Sequence, residues 1–429
     1  MLTLGTHRAF ISPPDVTNLH PGGMGRLQSS PGFLDELEIN LMVLQDGGRT
    51  AVICVSDELF VTHAEYADFC GLLGQRIPGA SLIVCATHDH SATPVPHGKP
   101  TPEMQASILA ARQKVREGFI NSLEAALGNM CAVEVAAARI PFPDTLSGNR
   151  RAKLDNGSAI SAFGAGPLIP PGHKCAGRPG PDPQEIDLLA FREPGKEHPK
   201  ALLTGYSSHI HIYEIPYFNT EAAGAARNAL RAAFPQTHPF YSVGFAGDVA
   251  IQKVHPCAGD DEPFRIQWEQ QGLLAYGTAF AGAVARGLPA LKYGITEGLA
   301  FLRHEEAGPS NLELLLVETL RIGPHAVCSL SGEMSLAWED ELREGLPCAS
   351  LLSMGYNASW LGYVSPPLAF EEGSYETMRG PSDIFAYPTP TTRAKSATTT
   401  GARILGIARQ QLDSLFPPPT PRPNIIPQP

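Results

Sequence analysis

The segment from residue 51 to residue 86 constrains the fold of this chain more than any other part of the sequence. Two short apolar runs, Ala51 to Ser56 (AVICVS) and Ser81 to Ala86 (SLIVCA), flank a stretch with helical spacing from Thr62 to Ile77. Runs this rich in β-branched residues predict buried strands. Thr62, with Glu65 three residues later, predicts a capping box at the start of the helix. A strand, a helix and a strand of these lengths form a βαβ unit, so we expect two parallel strands in one sheet.

The rest of the chain alternates between helical and strand patterns. The sequence predicts helices at residues 102–127, 220–233, 262–286 and 334–344, and strands at 131–140, 186–191, 201–206, 239–243, 312–322 and 326–331. Residues 144–183 are rich in glycine, proline and polar residues and show no periodicity, which predicts a long irregular loop. The composition shows no break, so we expect one large α/β domain at residues 1–415, with mixed β-sheets flanked by helices. A proline-rich tail at residues 416–429 is expected to be extended and peripheral.

Charge, hydropathy and cysteine spacing exclude several classes of protein. The net charge of −11 repels nucleic acid, so we expect no nucleic-acid partner. No apolar run approaches the roughly 20 residues that a membrane-spanning helix needs, and the N-terminus does not resemble a signal peptide. The cysteines lack metal-binding or redox spacing, which is typical of a reducing compartment, and we expect a cytoplasmic protein. The sequence leaves the oligomeric state open.

Two histidines, His88 and His90, follow the second apolar run within the segment THDHS. Sites in sheets with parallel strands form at the carboxyl ends of the strands, and alternation places both histidines on one side of an extended segment. Imidazole suits zinc and other borderline transition metals. The pair could share one metal, or one histidine could bind the metal while the other contacts substrate. An isolated H-x-H is equally compatible with polar residues at a strand end, and only its context favours a function.

Two known hydrolase patterns can be compared with this segment. The metallo-β-lactamase pattern requires Asp and His at the fourth and fifth positions after its first histidine, where this chain has Ala92 and Thr93. That pattern is therefore excluded. The amidohydrolase barrel places H-x-H at the end of its first strand. At least one earlier strand is predicted here, which disfavours the barrel without excluding it.

Several short segments, in the same order along the chain, resemble the neutral (non-lysosomal) ceramidases and their bacterial relatives. They are residues 9–14 (AFISPP), 87–91 (THDHS), 149–151 (NRR), 207–209 (SSH), 247–249 (GDV), 332–333 (GE) and 363–376 (YVSPPLAFEEGSYE). The resemblance covers most of the chain from residue 9 to residue 376. It implies one zinc ion per chain, held by His88, His209, Glu333 and Tyr363. It also implies that the substrate is contacted by His90, Arg150 and Tyr375.

The residues alone leave some of these assignments open. His211 follows His209 by two residues and could be the ligand in its place. Glu333 could be a carboxylate at a helix N-terminus, where the helix dipole favours it, and the tyrosines could be packing residues. Asp57 and Asp248 each end an apolar run, where they could orient metal ligands or cap helices.

The resemblance implies a zinc-dependent hydrolase that cleaves an amide bond, or an ester or lactone, through a metal-activated water. Three departures from the family lie in this chain: it ends before the family's C-terminal β-sandwich, Gly244 stands where some members carry a serine, and residues 210–213 lack the family's small polar residues. The second departure excludes a serine nucleophile at that position. No basic amphipathic stretch suits a lipid surface. We therefore expect a small, soluble substrate with a hydrolysable carbonyl. The alternatives are a non-catalytic metal-binding relative and a two-metal enzyme of the amidohydrolase type.

Overall fold

Helices and strands are interspersed along the described chain. The computed structural model describes residues 1–14, 16, 30–92, 101–142, 147–161, 172–177, 179–211, 217–251, 262–307, 314–358, 361–378 and 390–417. The predicted tail lies outside the described residues, apart from Phe416 and Pro417. The α-helices are α1 (His63–Arg76), α2 (Pro102–Gly128), α3 (Glu221–Ala233), α4 (Glu262–Gly287), α5 (Leu336–Arg343), α6 (Pro367–Glu372), α7 (Tyr375–Met378) and α8 (Pro390–Leu415).

The strands of the described residues fall into three larger and three smaller sheets. In chain order they are β1 (Thr3–Phe10), β2 (Glu38–Asp46), β3 (Arg49–Ser56), β4 (Ser81–Ala86), β5 (Cys131–Ala132), β6 (Glu134–Pro141), β7 (Ser147–Asn149), β8 (Arg151–Leu154), β9 (Ala159–Ser161), β10 (Cys175–Gly177), β11 (Glu185–Arg192), β12 (Ala201–Tyr206), β13 (His238–Val243), β14 (Val249–Ile251), β15 (Gly294–Ile295), β16 (Leu299–Ala307), β17 (Leu314–Ile322), β18 (His325–Leu330), β19 (Glu333–Met334), β20 (Ser350–Met354) and β21 (Tyr363–Val364). The larger sheets have the orders β4-β3-β2-β1-β5, β13-β12-β11-β6-β15 and β16-β17-β18-β20.

Each larger sheet carries one parallel pair of strands at one edge, and its other pairings are antiparallel. The parallel pairs are β3–β4, β12–β13 and β18–β20. The helices α1, α3 and α5 connect the strands of these pairs. The predicted βαβ unit is confirmed, and so is its capping box: the Thr62 hydroxyl accepts from the Glu65 amide, and the Glu65 carboxylate accepts from the Thr62 amide. The confirmed fold class is a mixed α/β domain.

The three larger sheets share one hydrophobic core. Ile83 of β4, Leu203 of β12, Val327 of β18 and Leu352 of β20 belong to a single buried cluster. Because the sheets pack on one another through these strands, the carboxyl ends of β4, β12 and β18 reach the same region. The segments that follow these strands carry the histidines and the glutamate singled out in the sequence.

Part of the architecture differs from the sequence-based expectation. The region 144–183 contains four short strands, β7 to β10, of three or four residues each. Strands this short show no periodicity, which is why the sequence predicted an irregular loop. The sequence also missed β1, β2, β16, β20 and α8. The described strands form open sheets, which removes the amidohydrolase-barrel alternative. None of the described helices combines the length and apolarity needed to cross a membrane.

A buried carboxyl at the centre of β17 makes stability depend on pH. The hydroxyl of Tyr66 donates to Glu318 Oε1 at 2.5 Å. Burial raises the pKa of Glu318 to about 8, although the hydrogen bond from Tyr66 and the charge of Arg303 lower it in part. The folded protein therefore holds this proton at pH values where the unfolded chain, with an ordinary pKa near 4.5, has lost it. The stabilising contribution of the neutral carboxyl is complete below pH 4.5 and is lost as the pH rises through about 8.

We expect Glu318→Gln to remove this dependence, because glutamine stays neutral at every pH. Relative to the variant, the wild-type protein should lose on the order of a few kcal/mol of unfolding free energy between pH of about 5 and 8.5. Urea unfolding of both proteins at several pH values measures the difference. Burial also raises the pKa of Glu58 to about 8. Because Glu58 is present in both proteins, its contribution cancels in the difference between their unfolding free energies. Parallel pH profiles would show that Glu318 ionises normally.

Candidate metal centre

Three buried side chains, each following a strand of a different sheet, converge at one point. His88 follows β4, His209 follows β12, and Glu333 follows β18 across a two-residue turn. The Oε2 atom of Glu333 lies 3.4 Å from His88 Nε2 and 3.3 Å from His209 Nε2. Each of the three residues is at most 2% exposed. Two imidazole nitrogens and a carboxylate oxygen therefore face one another in an enclosed space.

Backbone carbonyls fix the orientation of both imidazoles. His88 Nδ1 lies 3.0 Å from the carbonyl oxygen of Leu59, and His209 Nδ1 lies 2.6 Å from that of Ala246. A carbonyl can only accept, so each ring carries its proton on Nδ1 and its lone pair on Nε2. This is the arrangement found in metal-binding histidines, whose second nitrogen donates to a carbonyl or carboxylate. His88 also has a left-handed backbone, with φ of 57°, which turns the chain sharply after β4.

Glycines allow the close approach of the loops that carry Glu333. Gly332 has φ of +84°, a conformation that glycine adopts without strain. Its turn leads directly into β19, which pairs in parallel with β21 so that Glu333 lies beside Tyr363. A side chain at Gly247 would overlap the backbone carbonyl of Glu333. These close contacts hold the carboxylate in the space between the two histidines.

The electrostatics of the cluster favour the protonation states that bind metals. Burial, together with Arg150, lowers the pKa of His209 to about 4. Burial and the neighbouring His88 hold the pKa of His90 well below its usual value. Burial alone would raise the pKa of Glu333, but His88 and His209 lower it well below its usual value. At neutral pH, His209 and His90 are therefore neutral and Glu333 is ionised, as metal ligands must be.

The geometry fits a tetrahedral divalent cation. Zinc binds histidine nitrogen and carboxylate oxygen at roughly 2.0–2.1 Å, so neighbouring ligand atoms of a tetrahedral site lie about 3.4 Å apart. The two separations between the histidine Nε2 atoms and Glu333 Oε2, 3.4 and 3.3 Å, match this spacing. Among the described residues, His209 Nε2 is buried without a hydrogen-bond partner. A metal ion would satisfy it.

His90 lies beside this group and offers a second donor set. Its Nε2 is 3.1 Å from His88 Nε2, and ligand atoms of His88, His90 and His209 all lie within 4.8 Å of one another. This group could hold a metal ion. His90 is only half-buried, so it faces the open side of the site. The donor sets His88–His209–Glu333 and His88–His90–His209 are both compatible with the geometry.

The structure separates the two histidines that the sequence left as alternatives. His209 faces Glu333, whereas His211 Nδ1 lies 3.1 Å from the carboxylate of Glu221. The ring of His211 packs 4.8 Å from that of His90, centroid to centroid. These contacts favour His209 as the ligand. His211 lies on the side of the site where His90 is partly exposed. Glu221, which is 1% exposed and also accepts from the Ser91 hydroxyl, was not identified from the sequence.

Two tyrosines and an arginine form a second group next to Glu333. The rings of Tyr363 and Tyr375 lie 5.5 Å apart. The guanidinium of Arg150 lies 5.4 Å from the first ring and 5.8 Å from the second. Arg150 donates to Glu376 Oε1 at 2.7 Å and to the Gly247 carbonyl at 2.8 Å. The predicted substrate residues Arg150 and Tyr375 are thus brought together with the predicted ligand Tyr363.

Asp248 and Asp57, which each end an apolar run, bind groups other than the side chains of the candidate metal ligands. Asp248 accepts from the amide of Leu336 at 2.9 Å, at the start of α5, and from Asn149 at 3.0 Å. Asp57 forms an ion pair with Arg227 and accepts from the hydroxyl of Thr87. The first aspartate therefore caps a helix. The second supports the residue that precedes His88.

Tyr356 and Glu376 are further residues at the site that sequence reasoning missed. The Tyr356 ring stacks on the His88 ring, with centroids 4.1 Å apart and planes inclined by 22°. Glu376 is buried and holds Arg150. Both lie within or beside the segment that resembles the ceramidases, which is the only local feature of the sequence that could have drawn attention to them.

Comparison with known structures shows the fold of this chain. A crystal structure of neutral ceramidase from Pseudomonas aeruginosa matches with a TM-score of 0.68 and 13% identity, over 94% of this chain and 75% of that chain. A ceramidase structure in complex with C2 matches with a TM-score of 0.69 and 13% identity, over 96% of this chain and 76% of that one. No protein-family model matches the chain, and no curated protein matches its sequence significantly. The predicted ceramidase-like fold is confirmed.

Proposed function

We propose that this protein is a zinc-dependent hydrolase that cleaves an amide, ester or lactone bond of a small, soluble substrate. The observation that carries the proposal is the convergence of His88 Nε2, His209 Nε2 and Glu333 Oε2 at the spacing of a tetrahedral metal site. The shared fold supports it, since the matched structures are ceramidases, which are hydrolases. A cytoplasmic location and the single catalytic domain at residues 1–415 stay predictions.

The proposed ligands are His88, His209, Glu333 and Tyr363. A zinc ion bound by these residues would lower the pKa of a water molecule in the site to about 7 and supply hydroxide at neutral pH. Glu333 provides the one carboxylate of the set, and its ionised state offsets part of the charge of the cation. Tyr363 lies next to Glu333 in the paired strands β19 and β21. This pairing supports the proposal that Tyr363 is the fourth ligand.

His90 and Tyr375 are the proposed substrate residues. Both lie at partly exposed positions beside the ligand cluster, where hydrogen bonds to the substrate carbonyl would stabilise developing negative charge. Either could instead protonate the leaving group. A serine nucleophile at position 244 stays excluded, because that residue is a glycine, and a side chain there would overlap the hydroxyl of Ser207.

Arg150 has most of its hydrogen-bonding capacity occupied by protein groups. Its guanidinium bonds Glu376, the Gly247 carbonyl and Tyr363. These bonds hold the guanidinium in place and leave fewer of its five N–H donors for a substrate carboxylate. We therefore propose that Arg150 acts on the substrate through Tyr363 and Tyr375, whose rings it holds in place.

The test is metal-dependent turnover on a panel of N-acyl amines, N-acyl amino acids, aryl esters and lactones. We expect at least one member to be hydrolysed, activity to fall roughly 100-fold after chelation, and one equivalent of zinc per chain to restore it. Protein that binds one zinc per chain but turns over no member of the panel would favour the non-catalytic metal-binding alternative. Activity that survives complete removal of metal would contradict the mechanism.

A further inference from the structure

Tyr356 combines three features that are uncommon together in a buried tyrosine. Its backbone is left-handed, with φ of 54°, a conformation that strains a bulky residue and that clusters at functional sites. Its side chain is 2% exposed. Its hydroxyl is buried and has no hydrogen-bond partner among the described residues.

The backbone around Tyr356 fixes the ring against the ligand cluster. The Tyr356 carbonyl accepts from the amide of Ala86 at 2.9 Å, and Asn357 forms a β-bridge with Cys85. These bonds attach the segment to the end of β4, two residues before His88. The ring then stacks on His88 and meets the ring of His209 edge-on, with centroids 6.0 Å apart. The left-handed turn is what brings the ring back over His88.

The hydroxyl belongs to a ring that stacks on the proposed ligand His88 and meets the proposed ligand His209. A phenol carries its proton at neutral pH, so this hydroxyl is available as a hydrogen-bond donor. A buried donor without an acceptor costs stability, and phenylalanine would fill the same space without that cost. Next to the candidate metal centre, a substrate oxygen could supply the missing acceptor for this buried hydroxyl.

We propose that Tyr356 is a catalytic residue whose hydroxyl donates a hydrogen bond to the substrate oxygen that becomes an oxyanion during hydrolysis. The hydroxyl keeps its proton throughout, and no covalent bond to Tyr356 forms or breaks. A donor held rigidly before the reaction stabilises developing charge without reorganisation, which is how oxyanion holes act. This inference rests on the proposed hydrolytic function. It assigns the site an acceptor-type ligand, a carbonyl or carboxylate oxygen, in contact with Tyr356.

The experiment compares Tyr356→Phe with the wild-type protein and with Tyr66→Phe. Tyr66 is a matched control, because it is also buried but donates to Glu318. We expect Tyr356→Phe to keep full zinc content and an equal or higher melting temperature, whereas Tyr66→Phe should melt about 2 °C lower. On the best substrate of the panel, Tyr356→Phe should lower kcat roughly 100-fold and change KM by no more than about threefold. Binding of acetohydroxamate to the zinc-loaded protein should weaken about tenfold.

The outcomes separate this inference from the proposed function. An active wild-type protein with an equally active Tyr356→Phe variant overturns the inference and leaves the hydrolase intact. A wild-type protein that turns over no substrate removes the proposed function. In that case, acetohydroxamate binding and the melting temperature of Tyr356→Phe still test whether the hydroxyl donates to a bound ligand. A fall in melting temperature equal to that of Tyr66→Phe shows a structural hydrogen bond at Tyr356 and overturns the inference in every case.

Discussion

His88→Ala and His209→Ala should each retain less than about one-tenth of the zinc that the wild-type protein binds, and both should be inactive. Each change removes one of the nitrogen donors that face Glu333 at 3.3–3.4 Å. Three of the four proposed ligands remain, and the loss of one nitrogen donor should weaken zinc binding by about tenfold or more. Metal content measured by mass spectrometry, after saturation with zinc and dialysis, tests the prediction. The wild-type protein should contain about one zinc per chain.

His211→Ala is the matched control for this experiment. It removes a histidine two residues from His209, but its Nδ1 contacts Glu221, so we expect zinc to stay at one equivalent. His90→Ala distinguishes the two donor sets. Full zinc content with activity lowered roughly 100-fold would assign His90 to the substrate, and loss of zinc would make it a ligand. Unchanged metal in His88→Ala would rule out the site as described.

The sequence predicted those elements whose local pattern is strong. The runs at 51–56 and 81–86 are buried on both faces, so they are continuous stretches of apolar, β-branched residues. Thr62 and Glu65 form a capping box that is recognisable in four residues. In such segments, local propensity and tertiary environment favour the same structure.

The missed elements are those in which the tertiary environment overrides the local pattern. β2 begins with Glu38 and Asn40, which are buried polar residues in the core of the first sheet. Their charges and amide groups are satisfied by residues far along the chain, such as Arg231 and His238. No pattern within β2 itself could reveal those partners. α8 is rich in threonine and glycine, which are weak helix formers.

The candidate site was partly predictable for the same reason. A polar residue that follows an apolar strand is expected at the carboxyl end of that strand, where sites form. His88 and His209 can be recognised in this way from the sequence alone. That β4, β12 and β18 end at one place depends on three sheets sharing a core, which no local pattern encodes. The role proposed for Tyr356 depends on a left-handed backbone and on ring stacking. Tyrosine after glycine is too common to indicate either.

The second large effect concerns a buried arginine that is linked to the candidate metal centre through Asp57 and Thr87. Arg227 of α3 is 1% exposed, and its Nη1 and Nη2 atoms donate to the two carboxylate oxygens of Asp57, at 2.9 and 2.5 Å. Its Nε lies 3.3 Å from Glu38. We expect Arg227→Met to lower the unfolding free energy by roughly 3–5 kcal/mol, because it leaves the carboxylate of Asp57 buried without its cation. Urea unfolding measured at neutral pH gives the value.

A double-mutant cycle shows whether the unpaired charge is the cause. In Arg227→Met combined with Asp57→Asn, both charges are gone and the asparagine oxygen can still accept from Thr87, so the double variant should be more stable than Arg227→Met alone. Arg231→Met is the control at a half-buried position: Glu38 keeps Arg8 and Arg227 as partners, and the loss should be about 1 kcal/mol. Additive losses in the cycle would mean that Arg227 stabilises the fold through packing or through Glu38, and not through Asp57. A strong coupling would show that the two charges stabilise the fold as a pair, at a position where Asp57 also accepts from Thr87, the residue before the proposed ligand His88.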